Sequence, residues 1–126
     1  MKKTISTDKA PAAIGPYSQA VWAGDLLFCS GQLGIDPTKG TLAGPGIQAQ
    51  AEQSLANIEA ILASQGLDAS DVVKTLVFLT DMGDFKTFNE IYGKTFKENP
   101  PARSCVAVPA LPLCGVVEIE VTAQKR

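Results

Sequence analysis

The sequence contains no histidine at all. That absence removes the Ser-His-Asp and Cys-His arrangements of nucleophilic catalysis. It also removes the usual zinc sites, because the only other soft ligands are three isolated cysteines, Cys29, Cys105 and Cys114. They are odd in number and include no CxxC pair, which fits free thiols in a reducing cytosol better than a disulfide frame. No apolar run approaches the ~18 residues of a membrane helix. The opening MKKTIST lacks the apolar stretch of a signal peptide, so the expected location is cytoplasmic with no membrane partner. A basic cluster is missing too: 11 Lys and Arg stand against 13 Asp and Glu, for a formal net charge of -2. Binding nucleic acid through counterion release needs clustered positive charge, and scattered charge disfavours that class of partner. Chemistry is left to Arg, Glu, Asp, Tyr, Lys, Cys, backbone groups and water.

What is present describes one globular domain over residues 1–126. Apolar residues make up 45% and charged residues 19% of the 126 positions, a balance that buries a core without staples. Tyr17–Ala23 and Leu26–Ser30 read as strands joined by a tight Gly24-Asp25 turn. GQLGIDPTKGTLAGPG follows, too rich in breakers for a regular element and long enough to be a functional loop. Ile47, Ala51, Leu55, Ile58, Ile61 and Leu62 then share a helical stripe, and Gly66 is a natural stop. Asp71–Thr80 reads as a strand buried on nearly both faces. A second helix runs from about Asp84, as N-cap, to Lys97, with Phe85, Phe88, Tyr92 and Phe96 on one face. Asn99-Pro100-Pro101 ends it. Arg103–Val108 and Val116–Ala123 complete a β-β-α-β-α-β-β order. The expected class is α/β (α+β), with both helices on one face of the sheet. Cover for the other face is expected from a symmetric oligomer.

Several residues bear chemistry and a plainer role at once. Strand alternation puts Arg103 and Cys105 on one face. The guanidinium fork suits a carboxylate or phosphate, or Arg103 is a surface residue paired with a nearby acid. Glu118 and Glu120 share one face of the last strand, as acid and base or as water holder, as solvent-facing residues, or as ion-pair partners of Arg103. Cys105 lacks a histidine to activate it, although a neighbouring guanidinium lowers a thiol pKa; a small buried residue is its other reading. Cys114 reads as incidental. Tyr17 offers a phenol to a ligand or anchors the first strand. Ser30-Gly31-Gln32 presents backbone N–H groups to an anion or is a simple strand exit. The aromatic stripe reads as core, with Asn89 beside it as a weaker ligand candidate. The Gly-rich loop has no GxxxxGK and is not a phosphate loop.

The segments APAAIGPYSQAV, SGQLGIDP, VVKTLVFLTDMGDF, PARSCVAV and VEIEVTA occur in this order. Together they closely resemble the RidA family of imine deaminases, which also carries an older label of translation or ribonuclease inhibitors. The resemblance spans essentially the whole chain. It implies a chorismate-mutase-like fold and a homotrimer with sites at subunit clefts. It implies hydrolysis of 2-iminobutanoate or 2-iminopropanoate to the 2-oxo acid and ammonia, with neither metal nor cofactor. Such imines are released by pyridoxal-phosphate enzymes such as threonine dehydratase. By this resemblance Arg103 binds the substrate carboxylate, the Cys105 backbone contacts the ligand, and Glu118 positions the attacking water. Tyr17, Ser30 and Gly31 form further wall, and Phe85 and Asn89 line the cleft from a neighbouring helix. The sequence departs from the family after PARSCV. Many members continue Arg-Leu-Pro-Lys-Asp where this chain has Ala110-Leu111-Pro112-Leu113-Cys114, which bears on substrate breadth more than on the reaction. Two other classes stay open: a 2-oxo acid binding module without turnover, and the endoribonuclease or translation inhibitor of the older label.

Overall fold

The computed structural model describes all 126 residues. The strands are β1 (Lys3–Ile5), β2 (Ala20–Ala23), β3 (Leu26–Cys29), β4 (Gln32–Leu33), β5 (Ile35–Asp36), β6 (Thr41–Leu42), β7 (Val72–Leu79), β8 (Ala102–Ala107) and β9 (Val117–Gln124). The helices are α1 (Ile47–Ala63) and α2 (Phe85–Thr95). One sheet runs β1-β2-β3-β9-β7-β8, with β4 also pairing β9, and β5-β6 form a small separate ribbon. All pairings in the main sheet are antiparallel except β7 with β8. The parallel pair is the one that α2 crosses over.

Alternation along β9 builds the core. Val117, Ile119, Val121 and Ala123 are all buried, and they meet Val77 and Leu79 of β7 under both helices. Leu55, Ile58, Ile61 and Leu62 of α1 and Phe88 and Tyr92 of α2 close the same layer. Gly24 turns the β2–β3 hairpin with φ +60, a conformation open to glycine at little cost. Gly66, at φ +73, ends α1, and Leu67 N–H reaches back to the Leu62 carbonyl at 3.0 Å. Both helices lie on one face, as the pattern of apolar residues predicts. The other face is open in the single chain and exposes Phe28 and Val106.

Four local expectations need correction. The Gly-rich stretch is not free of regular structure: β4, β5 and β6 lie within it, each two residues long. Strand β7 is buried on one face only, since Val72, Thr75, Val77 and Leu79 alternate with exposed or half-exposed neighbours. Asp84 makes no side-chain cap at α2; Asp81 instead accepts from Gly83 N–H at 2.8 Å and caps the turn before it. Tyr17–Gln19 precede β2 rather than belonging to it, and β1 was not foreseen.

The short strands stay in place because α1 carries a second, polar stripe. Gln50, Ser54 and Asn57 are buried yet hydrophilic, and their spacing puts them on one face of the helix. Ser54 Oγ donates to the Gln32 carbonyl at 2.7 Å. Asn57 Nδ2 donates to the carbonyls of Leu33 (3.2 Å) and Ile35 (2.9 Å). Gln50 Nε2 donates to the Gly44 carbonyl, and its Oε1 accepts from Val116 N–H, both at 2.8 Å. Gly34 lets the loop press on the helix: a Cβ there would lie 2.8 Å from the Gln50 carbonyl carbon. Removing such a partner strands buried carbonyls, at about 1–3 kcal/mol each. Asn57→Ala, which strands two carbonyls, should therefore lower the urea midpoint with little change in slope, by an amount worth about 2–6 kcal/mol. Exposed Gln48→Ala should stay within about 0.5 kcal/mol of the parent at the same protein concentration.

Candidate functional site

Pro100 and Pro101 hold the chain extended as it enters β8, an edge strand. Arg103 is the second residue of that strand and faces the helix layer beside Thr75 of β7. Its guanidinium donates to Asn89 Oδ1 of α2 at 2.9 Å. Its central carbon lies 4.7 Å from the ring centre of Tyr92 and 5.6 Å from that of Phe85, so two aromatic faces support the cation. Tyr92 is itself fixed by a 2.7 Å hydrogen bond between its hydroxyl and that of Thr75. No carboxylate pairs with Arg103; the ion pairs of the chain join Arg126 to Asp68 and Asp71. Arg103 is thus an oriented, half-buried cation with most of its fork free. Phe85, Asn89 and Cys105 stand with it.

Tyr17, Ser30, Gly31 and Glu118 gather elsewhere. They line a cleft of about 710 Å³ on the open side of the sheet, together with Glu120. A β-bulge shapes its floor. Phe28 pairs with Thr122 while Gln32 pairs with Ile119, so the strand carrying Ser30-Gly31 has one residue more than β9 opposite it. Ser30 anchors the bulge, donating its hydroxyl to the Ser18 carbonyl at 2.6 Å and its N–H to the Gln19 carbonyl at 2.9 Å. Gln19 in turn holds the N-terminal segment through the carbonyls of Thr7 and Pro11 at 3.0 and 2.7 Å. Gly31 is the point of closest approach: a Cβ would collide with the Glu118 carboxylate, 2.8 Å from its carboxyl carbon. Only glycine leaves room for that carboxylate to lie against the bulge.

The two groups cannot meet in one chain. Arg103 and Val121 both pair with Thr75, while Glu118 lies three residues from Val121 on β9 and therefore points out of the opposite face. Two strand spacings and three residues separate the Arg103 and Glu118 Cα atoms by roughly 14 Å, and their side chains diverge from there. An ion pair of Arg103 with Glu118 or Glu120, one of the readings left open by the sequence, is therefore absent.

Burial raises the Glu118 pKa above the usual carboxylate value, and the negative charge of Glu120 raises it further. Two of the thiols are held protonated by burial. Burial pushes Cys29 up to about 12. Burial also raises Cys105, outweighing the opposing pull of Arg103, so of its two readings from the sequence the activated thiol is the one disfavoured. No three Cys, Asp or Glu side chains converge as ligands for a metal ion.

Sequence reasoning missed several positioning residues. Tyr92 was assigned to the core stripe and also serves as the platform for Arg103. Gln19, Gln50, Ser54 and Asn57 were passed over, although three polar residues at helical spacing beside an apolar stripe are a readable signal. Ile14 and Leu113 also line the cleft, and the sequence gives neither of them a role there.

Comparison with known proteins agrees with this architecture. Residues 7–125 match the family model described as Endoribonuclease L-PSP. The chain is 51% identical to Reactive Intermediate Deaminase A, chloroplastic, of Arabidopsis thaliana, over 97% of its own length and 65% of that protein. It is 49% identical to a 2-iminobutanoate/2-iminopropanoate deaminase of Homo sapiens, over 98% of its own length and 90% of the relative. The solved structure of RidA from an Antarctic Psychrobacter superposes with a TM-score of 0.93 at 51% identity, covering 97% of this chain and 98% of the other. That likeness agrees with the chorismate-mutase-like fold implied by the family resemblance. From fold, cleft and sequence together, the chain belongs to the Endoribonuclease L-PSP family, among the RidA-type proteins.

Proposed function

We propose that this protein hydrolyses small 2-imino acids, 2-iminobutanoate and 2-iminopropanoate among them, to 2-oxo acids and ammonia, in sites completed between copies of the chain in a homotrimer. The observation that carries this reading is Arg103: a cation aimed by Asn89, backed by two rings and left without an acid of its own. A planar carboxylate satisfies the open fork in bidentate fashion. The hydrolytic carboxylate, Glu118, leaves the sheet on the other side. A ligand touching both must sit between Arg103 of one copy and Glu118 of the next. Because the two patches lie on opposite faces, a single two-fold interface cannot bring both pairs together. Front-to-back contact closes a ring, and a trimer is the smallest one. The exposed face bearing Phe28 and Val106 is the apolar surface such a ring would cover.

The reaction asks little of acid–base groups. Arg103 and the Cys105 backbone hold the carboxylate end, and the wall formed by Tyr17 and Ser30-Gly31 confines the rest. Water held by the Glu118 carboxylate adds its oxygen to the imine carbon, and the imine nitrogen takes up a proton. In the resulting aminol the carbon–nitrogen bond breaks, ammonia leaves, and the remaining hydroxyl loses its proton to become the oxo group. An iminium carbon is already electrophilic, so positioning supplies most of the acceleration. Two carboxylates in the cleft wall disfavour a polyanion such as RNA. Three unpaired thiols suit a reducing, cytoplasmic setting.

The test follows ammonia or semicarbazone production from 2-iminobutanoate made continuously by a threonine dehydratase. The native chain should speed imine decay. Arg103→Ala should lower kcat/KM about a hundredfold, and Arg103→Lys about tenfold, since an ammonium cannot reproduce the fork. Oxo-acid binding without faster imine decay would leave a binding module instead. The pH dependence has a definite sign. Glu118 acts ionised, so kcat/KM should fall as pH drops through its raised pKa. Glu120→Gln removes the repelling charge and should move this acid limb to lower pH, with the alkaline side unchanged.

A further inference from the structure

We propose that Leu113, with Ile14, forms an apolar lip that sets specificity, favouring 2-imino acids with side chains longer than ethyl, of branched aliphatic or aromatic type. The inference rests on the imine-hydrolase reading and extends it to the substrate side chain. The cleft beside Glu118 measures about 710 Å³, within the range that takes drug-sized ligands, whereas 2-iminobutanoate has only four carbons. A second copy seated against the open face takes up part of that space, but the lip belongs to this chain's own wall. Apart from the two glutamates that wall is mainly uncharged and apolar: Ile14, Leu33, Ile35, Pro37, Pro112 and Leu113 all contribute.

Leu113 is placed there deliberately by the backbone. It has φ 58 and is followed by Cys114 at φ 59, two side-chain-bearing residues in succession in the left-handed region. That conformation is uncommon outside glycine and asparagine and persists only where the surroundings impose it. The surroundings are on view. Gly115 N–H bonds the Pro112 carbonyl at 3.1 Å and Val116 N–H bonds Gln50 Oε1 at 2.8 Å. A Cβ on Gly115 would lie 2.9 Å from Leu33 Cδ2, so the turn packs closely against the cleft wall. The product of this constraint is a leucine 55% exposed, with no place in the core, held at the mouth of a cleft that contains a perturbed carboxylate. Ile14, 78% exposed, stands on the N-terminal wall of the same cleft. Two large apolar side chains that the single chain leaves exposed at a ligand entrance gain by contact with an apolar substrate group.

A side chain of that kind also limits the source of the imine. Elimination from serine or threonine gives only short side chains. A longer one requires two-electron oxidation at the Cα–N bond of the parent amino acid, with a flavin or similar acceptor taking the electrons. The experiment therefore compares 2-iminobutanoate from threonine dehydratase with 2-imino-4-methylpentanoate made from leucine by an amino-acid oxidase with catalase, both read by semicarbazide competition. The readout is the ratio of kcat/KM for the leucine-derived imine to that for 2-iminobutanoate. In the native chain this ratio should be one or greater. Leu113→Lys should lower it about tenfold, the scale at which a hydrophobic pocket distinguishes side chains by a methylene or two. Ile14→Ser should lower it in the same direction, and Leu113→Phe should preserve it. Circular dichroism and thermal midpoints confirm that each variant is folded. A ratio unmoved by both Leu113→Lys and Ile14→Ser, with both imines still hydrolysed, overturns the lip and leaves the reaction intact. No acceleration of either imine by the native chain overturns the imine-hydrolase reading and the lip with it.

Discussion

Alternation along β9 sends Val117, Ile119 and Val121 into the helix layer and Glu118 and Glu120 out of the other face. With only two helices, the chain can bury one face of its sheet and must leave the second to other means. Edge strand β8 obeys the same pleat, so Arg103 and Cys105 follow Thr75 and Val77 toward the helices. The cation and the carboxylate needed for a carboxylate-bearing substrate are thereby placed back to back. On the proposed reading, such a division joins assembly to activity: the face that needs covering carries Glu118, and Arg103 lies on the other.

Each half of the site is built by a different local device. The Arg103 half uses α2, whose Asn89 sets the direction of the fork and whose Phe85 and Tyr92 provide its backing. The Glu118 half uses a bulge. One extra residue at Ser30-Gly31, with glycine at the point of contact, lets a carboxylate settle against backbone in a partly dry setting. That setting raises its pKa. The loop forming the bulge would be free to wander, were it not tied down by the buried Gln50, Ser54 and Asn57 of α1. Every buried side-chain nitrogen and oxygen in the chain finds a partner, so this polar clamp is complete rather than partial.

Much of this was readable in advance where periodicity is strong. The stripe from Ile47 to Leu62, the aromatic ladder Phe85–Phe88–Tyr92–Phe96 and the alternation of β9 give both helices and the central strand, and Gly24 and Gly66 mark their turns. The short strands β4, β5 and β6 were hidden because two-residue pairings generate no period; they exist through partners on α1. The exposure of one face of β7 was hidden for a different reason. Val73, Leu76 and Phe78 look like core by composition, and only the number of available covering layers shows that a single chain cannot bury them. At the site, the residues of the PARSCV and VEIE segments stand out in the sequence as polar groups of interest. Their opposed directions follow from the β8–β7–β9 register, which no spacing within one strand reveals.

Complementation between two crippled chains tests the central claim, that one site draws on two copies. Arg103→Ala and Glu118→Gln are each assayed alone with 2-iminobutanoate, then mixed in equal amounts under denaturing conditions and refolded together. A site shared between neighbours regains both groups when an Arg103→Ala chain supplies Glu118 and a Glu118→Gln chain supplies Arg103. With random assembly, about a quarter of wild-type activity should return. Activity no greater than the average of the two separate variants, from mixtures shown by mass spectrometry to contain both chains in one assembly, would contradict it.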